Sequence, residues 1–203
     1  RVFYSMSRDG LVPSVFSHLD PKYKTPAKSN LLFMVFVSLI AAFVPGKVIG
    51  EMASIGTLFA FILVCLGIII IRQNNPGANP AFKNPWVPVI PILGTLVCLS
   101  MMISLSIDTW IRLVVWMMVG FDIYLVRGSK YSLLSASDTP AEKQHTRNVT
   151  AASGLILCIL LGILTCVRHR SELGNDTDLI IFSTIIAFHL FYYLRFRFVK
   201  KIV

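Results

Sequence analysis

The chain has 203 residues, of which 55% are hydrophobic and 14% charged, and its mean hydropathy is +0.72. A soluble domain of this length carries far more surface charge, so the composition excludes most water-soluble enzymes. A formal net charge of +9 would suggest nucleic acid in a soluble protein; in a chain this apolar it records orientation in a membrane, and no nucleic-acid partner is expected.

Residues 1–28 are polar and basic and read as a loop that follows an upstream span. The chain opens with Arg1 instead of Met, inside what looks like the end of an element, so it is expected to be a piece of a longer protein. Six membrane helices are then predicted, over 29–45, 52–71, 86–107, 110–126, 149–167 and 179–194. The first is uninterrupted and stops at the turn pair Pro45-Gly46. The second, Met52 to Ile71, has no charged residue and ends at Arg72. At ~1.5 Å per residue it reaches ~30 Å, the thickness of a bilayer's hydrocarbon core. The third is also charge-free, and Pro88 and Pro91 predict a kinked start for it. The fourth carries Arg112 near one end and Asp122 near the other, around the apolar stretch Leu113 to Phe121. Residues 127–148 hold Ser, Asp, Pro, Glu and Lys and little that could build a core, so they read as a cytoplasmic linker. The fifth span is charge-free, the sixth is short and contains His189, and a basic tail, 195–203, closes the chain. Backbone groups find no water in hydrocarbon, so these runs should be helices, and period-2 barrel strands would not produce them. The fold class is therefore an all-α polytopic membrane protein with six transmembrane helices.

Six spans divide the Lys and Arg residues 15 to 4 between the two sides. The richer side holds the N-terminal segment, the 72–85 loop, the 127–148 linker and the tail. By the positive-inside rule it is cytoplasmic, as are both ends of the chain. Cys65, Cys98, Cys158 and Cys166 all lie in apolar runs, which argues against a disulfide framework or a zinc site.

Ionisable groups inside a membrane are functional hypotheses by default. Asp122 reads either as such a group or as a snorkelling or paired interfacial carboxylate near Arg127. Arg112, beside Trp110 and Asp108, fits an interfacial anchor. His189 fits a proton relay or a packing residue near two tyrosines, and Glu51 a cap on the second span or part of an outer vestibule. Gly56, Gly67, Gly154 and Gly162 point to close helix packing. Of two Asn-x-Ser/Thr matches, Asn148 falls on the inner side and Asn175 on the outer. The chain contains no HExxH, GxSxG, CxxC pair or Gly-rich phosphate loop; no enzyme activity, cofactor or metal is expected.

The opening RVFYSMSRDGLVPSVFSHLDPKYKTP resembles the cytoplasmic segment after the eighth span of amino acid permeases of the amino acid–polyamine–organocation superfamily, in particular the cationic amino acid transporter branch. The pattern stands here as Tyr4, Met6, Arg8, Asp9, Gly10, Leu11 and Pro13, followed by Thr25-Pro26. GEMASIGTLFAF (50–61), FKNPWVPVIPILG (82–94) and LSIDTWIRLVVWMMVG (105–120) extend the likeness over roughly residues 1–130. The resemblance implies the C-terminal part of a five-plus-five inverted-repeat transporter fold. The first four spans would correspond to the ninth through twelfth, and the last pair to extra helices of larger members. Substrate would sit in broken helices upstream of Arg1, so the substrate-binding residues are expected there. Arg8 and Asp9 would lie in a cytoplasmic loop, as an inner gate or ion-pair latch or as a structural turn at Asp9-Gly10. The implied function is secondary active transport of an amino acid by alternating access, driven by protons or substrate gradients. This part would supply scaffold and peripheral helices, a lipid-facing surface and a surface for homo-oligomer contact. The rival is a six-span structural or interaction subunit without transport activity of its own.

Overall fold

The computed structural model describes residues 2–20, 25–74, 86–132, 139–171 and 176–198. Expectations that fall on Arg1, Lys22, Lys24, Lys83, the start of the FKNP block, Asn175, Lys200 and Lys201 lie outside the described residues. The helices are α1 (Val2–Arg8), α2 (Ala27–Phe43), α3 (Gly46–Asn74), α4 (Val89–Ile103), α5 (Ile107–Ile123), α6 (Pro140–Arg170) and α7 (Asp176–Phe198). No strand occurs among the described residues.

Four stretches are long and apolar enough to cross a membrane: Gly46–Asn74, Ile107–Gly128, Pro140–Arg170 and Asp176–Arg195. α2 and α4, with 17 and 15 residues, are apolar but shorter. At ~1.5 Å per residue they reach about 26 Å and about 23 Å, short of the ~30 Å hydrocarbon core. The expected six spans are thus four long helices and two short ones. Side chains such as Leu31, Met34, Phe36, Leu39 and Phe43 on α2 are exposed around the helix, a surface that water would not tolerate and lipid does.

The ends of the helices have local causes. α3 begins at Gly46, six residues ahead of the expected start, because Pro45 supplies the first carbonyl: the Val48 and Ile49 amides donate to it at 2.9 and 3.3 Å. Pro91, expected to kink the third span, falls in the first turn of α4, where its missing N–H has no intrahelical partner to lose. α6 starts at Pro140, well before the expected span at 149, so part of the expected linker is helical. Its start is a capping box: Thr139 Oγ1 accepts from the Glu142 amide, and the Glu142 carboxylate accepts from the Thr139 amide at 2.7 Å.

The described residues form two compact units, one of residues 45–113 and one of the stretches up to Val44 and from Val114 onward. In the first, α3 packs on α4. Ile55, Ile62 and Met102 are its buried centre, with Leu58, Phe59, Cys98, Leu105 and Leu113 around them. Trp110 closes the turn between α4 and α5 by donating its indole N–H to the Met102 carbonyl at 3.1 Å.

In the second unit α6 and α7 form an antiparallel hairpin. The buried residues of α6 are Ala151, Gly154, Cys158, Leu161 and Thr165, a strict three-four alternation that forms one coiled-coil-like seam. Arg168 and Asp178 join the two helices near their connection at 3.2 Å. α5 continues through a wide π-turn, Tyr124–Gly128, in which the Ser129 amide reaches back five residues to the Tyr124 carbonyl, and then a last turn, Ser129–Tyr131.

α1 ends in a Schellman motif. The Leu11 amide donates to the Met6 carbonyl at 2.9 Å and the Gly10 amide to the Ser7 carbonyl at 3.1 Å, with Gly10 left-handed at φ +81. The Tyr131 carbonyl lies where a Cβ on Gly10 would be. Phe3, Phe16 and Phe33 then cluster, with ring centroids 4.7 to 5.9 Å apart, and Ser29 Oγ donates to the Phe16 carbonyl at 3.2 Å. Gly10→Ala is expected to destabilise the full-length protein by more than the ~1–2 kcal/mol of a left-handed alanine, because the added carbon also displaces Tyr131. Thermal unfolding in detergent, compared with a Gly46→Ala control where a Cβ meets nothing within 4 Å, reads this directly.

Candidate functional site

Two polar clusters stand out among the described residues, and each joins residues far apart in sequence. The first belongs to the 45–113 unit. Glu51 lies more than a turn inside α3, so it does not cap that helix's end. Its Oε2 instead meets the turn into α5: Thr109 Oγ1 donates to it at 2.7 Å, Ser106 Oγ lies at 3.3 Å, and the Arg112 guanidinium at 3.7 Å. Ser106 and Thr109 are 2.8 Å apart. Each hydroxyl has one proton, and the shorter contact assigns Thr109's to Glu51, so Ser106 donates to Thr109 in a chain ending on the carboxylate.

The sequence assigns Glu51 and Arg112 separate roles, and the structure brings them together. The interfacial-anchor reading of Arg112 thus gains an ionic partner. Ser106 and Thr109 were missed, although Ser106 directly before the Ile107 helix start is an ordinary N-cap signal.

The second cluster lies in the other unit, where α5, α6 and α7 supply its groups. His189 Nε2 is 2.9 Å from Asp122 Oδ2, and its Nδ1 is 2.8 Å from the Ile185 carbonyl one turn back. Tyr193, one turn further along α7, is fully buried and donates its hydroxyl to the Met118 carbonyl at 3.2 Å. Its ring covers Gly154, where a Cβ would stand 2.5 Å from the ring's Cζ. The packing expected of glycines is therefore real at Gly154, but a would-be Cβ at Gly56 or Gly67 meets nothing within 4 Å. Asp122 pairs with His189 and not with Arg127, whose guanidinium lies 5.2 Å over the Tyr131 ring. Asp122 and His189 are 67 positions apart, a separation that hides the pairing from the sequence, where Tyr193 stands only as one of two neighbouring tyrosines.

Arg8 and Asp9 contact each other at 4.0 Å, with 70% and 37% of their side chains exposed. Asp9 occupies the C-cap of α1 ahead of Gly10, and its amide donates to the Ser5 carbonyl at 2.9 Å. Asn148 lies within α6 and accepts from Gln144 Nε2 at 3.0 Å. Cys158 is buried, Cys65 and Cys98 half-buried and Cys166 exposed, all as free thiols. No group of three potential metal ligands occurs among the described residues.

Helices with apolar side chains turned outward and two polar clusters inside, among the described residues, define a multi-pass integral membrane protein. A family model described as the C-terminus of AA_permease matches residues 82–132. The chain is 40% identical over 135 residues to the branched-chain amino acid permease BcaP of Bacillus subtilis (strain 168), covering 66% of this chain and 29% of the relative. It is 36% identical over 135 residues to the methylthioribose transporter of the same organism, with the same coverage, 66% and 29%. Over 80 residues it is 36% identical to the vacuolar cationic amino acid transporter 4 of Arabidopsis thaliana, covering 39% of this chain and 13% of the relative. Over about two thirds of its length the chain is similar to amino acid permeases and related transporters, and residues 82–132 match the C-terminus of that permease family. It spans about three-tenths of the length of the Bacillus relatives it matches.

The Glu51 cluster should be held by its hydroxyl more than by its ion pair. Thr109 is fully buried and its hydroxyl makes the shorter contact to the carboxylate, at 2.7 Å. The 3.7 Å pair with Arg112 is partly exposed and screened by solvent, so it is expected to contribute less. Unfolding midpoints of Thr109→Val and Arg112→Gln should therefore fall in that order, the threonine variant being the less stable.

Proposed function

We propose that this chain is the C-terminal part of a secondary active amino acid transporter that works by alternating access. The observation that carries the reading is the 40% identity with a branched-chain amino acid permease over 66% of the chain. The helices supply scaffold and peripheral packing: α3 and α4 form one close pair, and α6 and α7 form another. The substrate is an amino acid, bound by helices outside this chain, and transport is driven by protons or by substrate gradients. The exposed apolar faces meet lipid and, in part, a second copy of the transporter.

All six apolar helices cross the membrane in this reading, and both ends of the chain are cytoplasmic. The 15-to-4 division of Lys and Arg supports it. The inner loops are then 1–28, 72–85 and 127–148, followed by the tail from 195. Arg8, with most of its side chain exposed beside the Gly10 turn, is the residue available to an inner gate, and Asp9 serves the turn.

Two measurements test the reading. Ser137→Cys and Gly174→Cys should label from opposite sides of intact cells, with only the cysteine at 174 reacting with an impermeant reagent. Labelling of both, or the reverse pattern, overturns the topology. Full-length protein in vesicles should take up an amino acid, with branched-chain and cationic amino acids tried first and methylthioribose as the third candidate. Expression without uptake of any of them, together with stable capture of a partner, would favour the interaction subunit.

A further inference from the structure

We propose that Asp122 and His189 form a membrane-embedded binding site for a single proton, and that this proton ties α7 to α5. The proposal goes beyond the transport reading and stands without it, since neither residue is given a substrate role.

The argument is one of donors and acceptors. A backbone carbonyl can only accept, so the 2.8 Å contact between His189 Nδ1 and the Ile185 oxygen requires the hydrogen on Nδ1. That leaves Nε2 facing Asp122 Oδ2 at 2.9 Å. The contact is a hydrogen bond only if one proton lies between the two atoms. It can sit on nitrogen, as imidazolium and carboxylate, or on oxygen, as neutral imidazole and carboxylic acid. The pair is electrically neutral in both forms, which is what a low-dielectric site tolerates. Removal of that proton sets two lone pairs against each other and adds an uncompensated charge. The imidazole cannot escape by exchanging tautomers, because Nδ1 is committed to Ile185. The remedy left is separation of α7 from α5.

The surroundings hold the pair in place without supplying a substitute partner. Tyr193 fixes the register of α7 through Met118, whose carbonyl lies one turn before Asp122, and through Gly154 on α6. Asp122 Oδ1 is buried with no hydrogen-bond partner among the described residues, and the one other hydroxyl that reaches the carboxylate, that of Tyr193, is neutral and gives its hydrogen to the Met118 carbonyl. The remaining titratable groups that face Asp122 are Cys158 on α6 and Tyr192 and Tyr193 on α7; none of them carries a positive charge. Arg127, the nearest cation along α5, is turned onto Tyr131.

The test uses full-length protein in nanodiscs, titrated over about pH 4 to 10, which spans the ordinary carboxylate, imidazole and phenol ranges. Spin labels at Val119→Cys and Phe191→Cys, in a background free of natural cysteines, report the α5–α7 separation by dipolar broadening. Both positions are exposed on their helices, at 37% and 71%. In the wild-type pair the broadening should be strong at low pH and weaken in one single-proton step as pH rises. Asp122→Asn and His189→Gln each keep a hydrogen-bonding contact but no shared proton, and each should abolish the step. A flat wild-type titration overturns the proposal, and so does a step that persists in either variant. Nitrogen NMR of the imidazoles in the wild-type protein gives a result that needs no variant to fold. Every histidine then has to be followed, and one must keep Nδ1 protonated throughout the range; its absence would also refute the site.

Discussion

A peptide N–H or C=O inside hydrocarbon has no water to bond, and each one left unpaired costs several kcal/mol. The helices of this chain are the answer to that constraint, and the polar side chains between them follow the same rule. Glu51 takes its hydrogen bond from Thr109 and its charge partner from Arg112; Asp122 faces His189; Tyr193 gives its hydroxyl to a main-chain carbonyl. Lipid tails are as apolar as leucine, so apolar burial does little to draw the helices together. Shape does more: the Tyr193 ring fills the space that Gly154 leaves open, and Gly94 brings α4 against the sulfur of Cys65.

The same constraint explains what could be read from sequence. Charge-free apolar runs announce helices because nothing else survives in lipid, and helices were found in each stretch where one was expected. Their ends were harder, because ends are decided by a few residues in contact with the backbone. The start of α6 shows this: Thr139-Pro140-Ala141-Glu142 carries a capping-box pattern with proline at the first position, a signal present in the sequence and passed over because the stretch is polar. α2 stops at Phe43, as the Pro45-Gly46 pair predicts, and Pro45 also opens α3; Pro91, expected at a kinked start, lies in the first turn of α4, where proline is welcome.

Partnerships across the fold were the part that sequence could not convey. Asp122 and His189 are each unremarkable alone, and Glu51 and Arg112 each had a plausible solitary role at an interface. Pairing depends on which faces of α5, α6 and α7 meet, and an apolar helix in lipid has no polar side to declare its orientation. The heptad seam from Ala151 to Thr165 was the one available clue, since its small residues mark the face of α6 that a neighbour can approach.

The wide turn at Tyr124–Gly128 inserts an extra residue into α5. One residue is about 100° of helical rotation, so whatever lies beyond the turn is re-phased relative to the membrane-facing part before it. Among the atoms re-phased is the Tyr131 carbonyl, which rests against Gly10. A one-residue deletion between Tyr124 and Gly128 would swing that oxygen away and free position 10 from half of its reason to be glycine. Left-handed backbone would remain as the other half. The wide turn and the bare glycine are thus two ends of one fitted contact, and a lineage that loses the first has less need to keep the second.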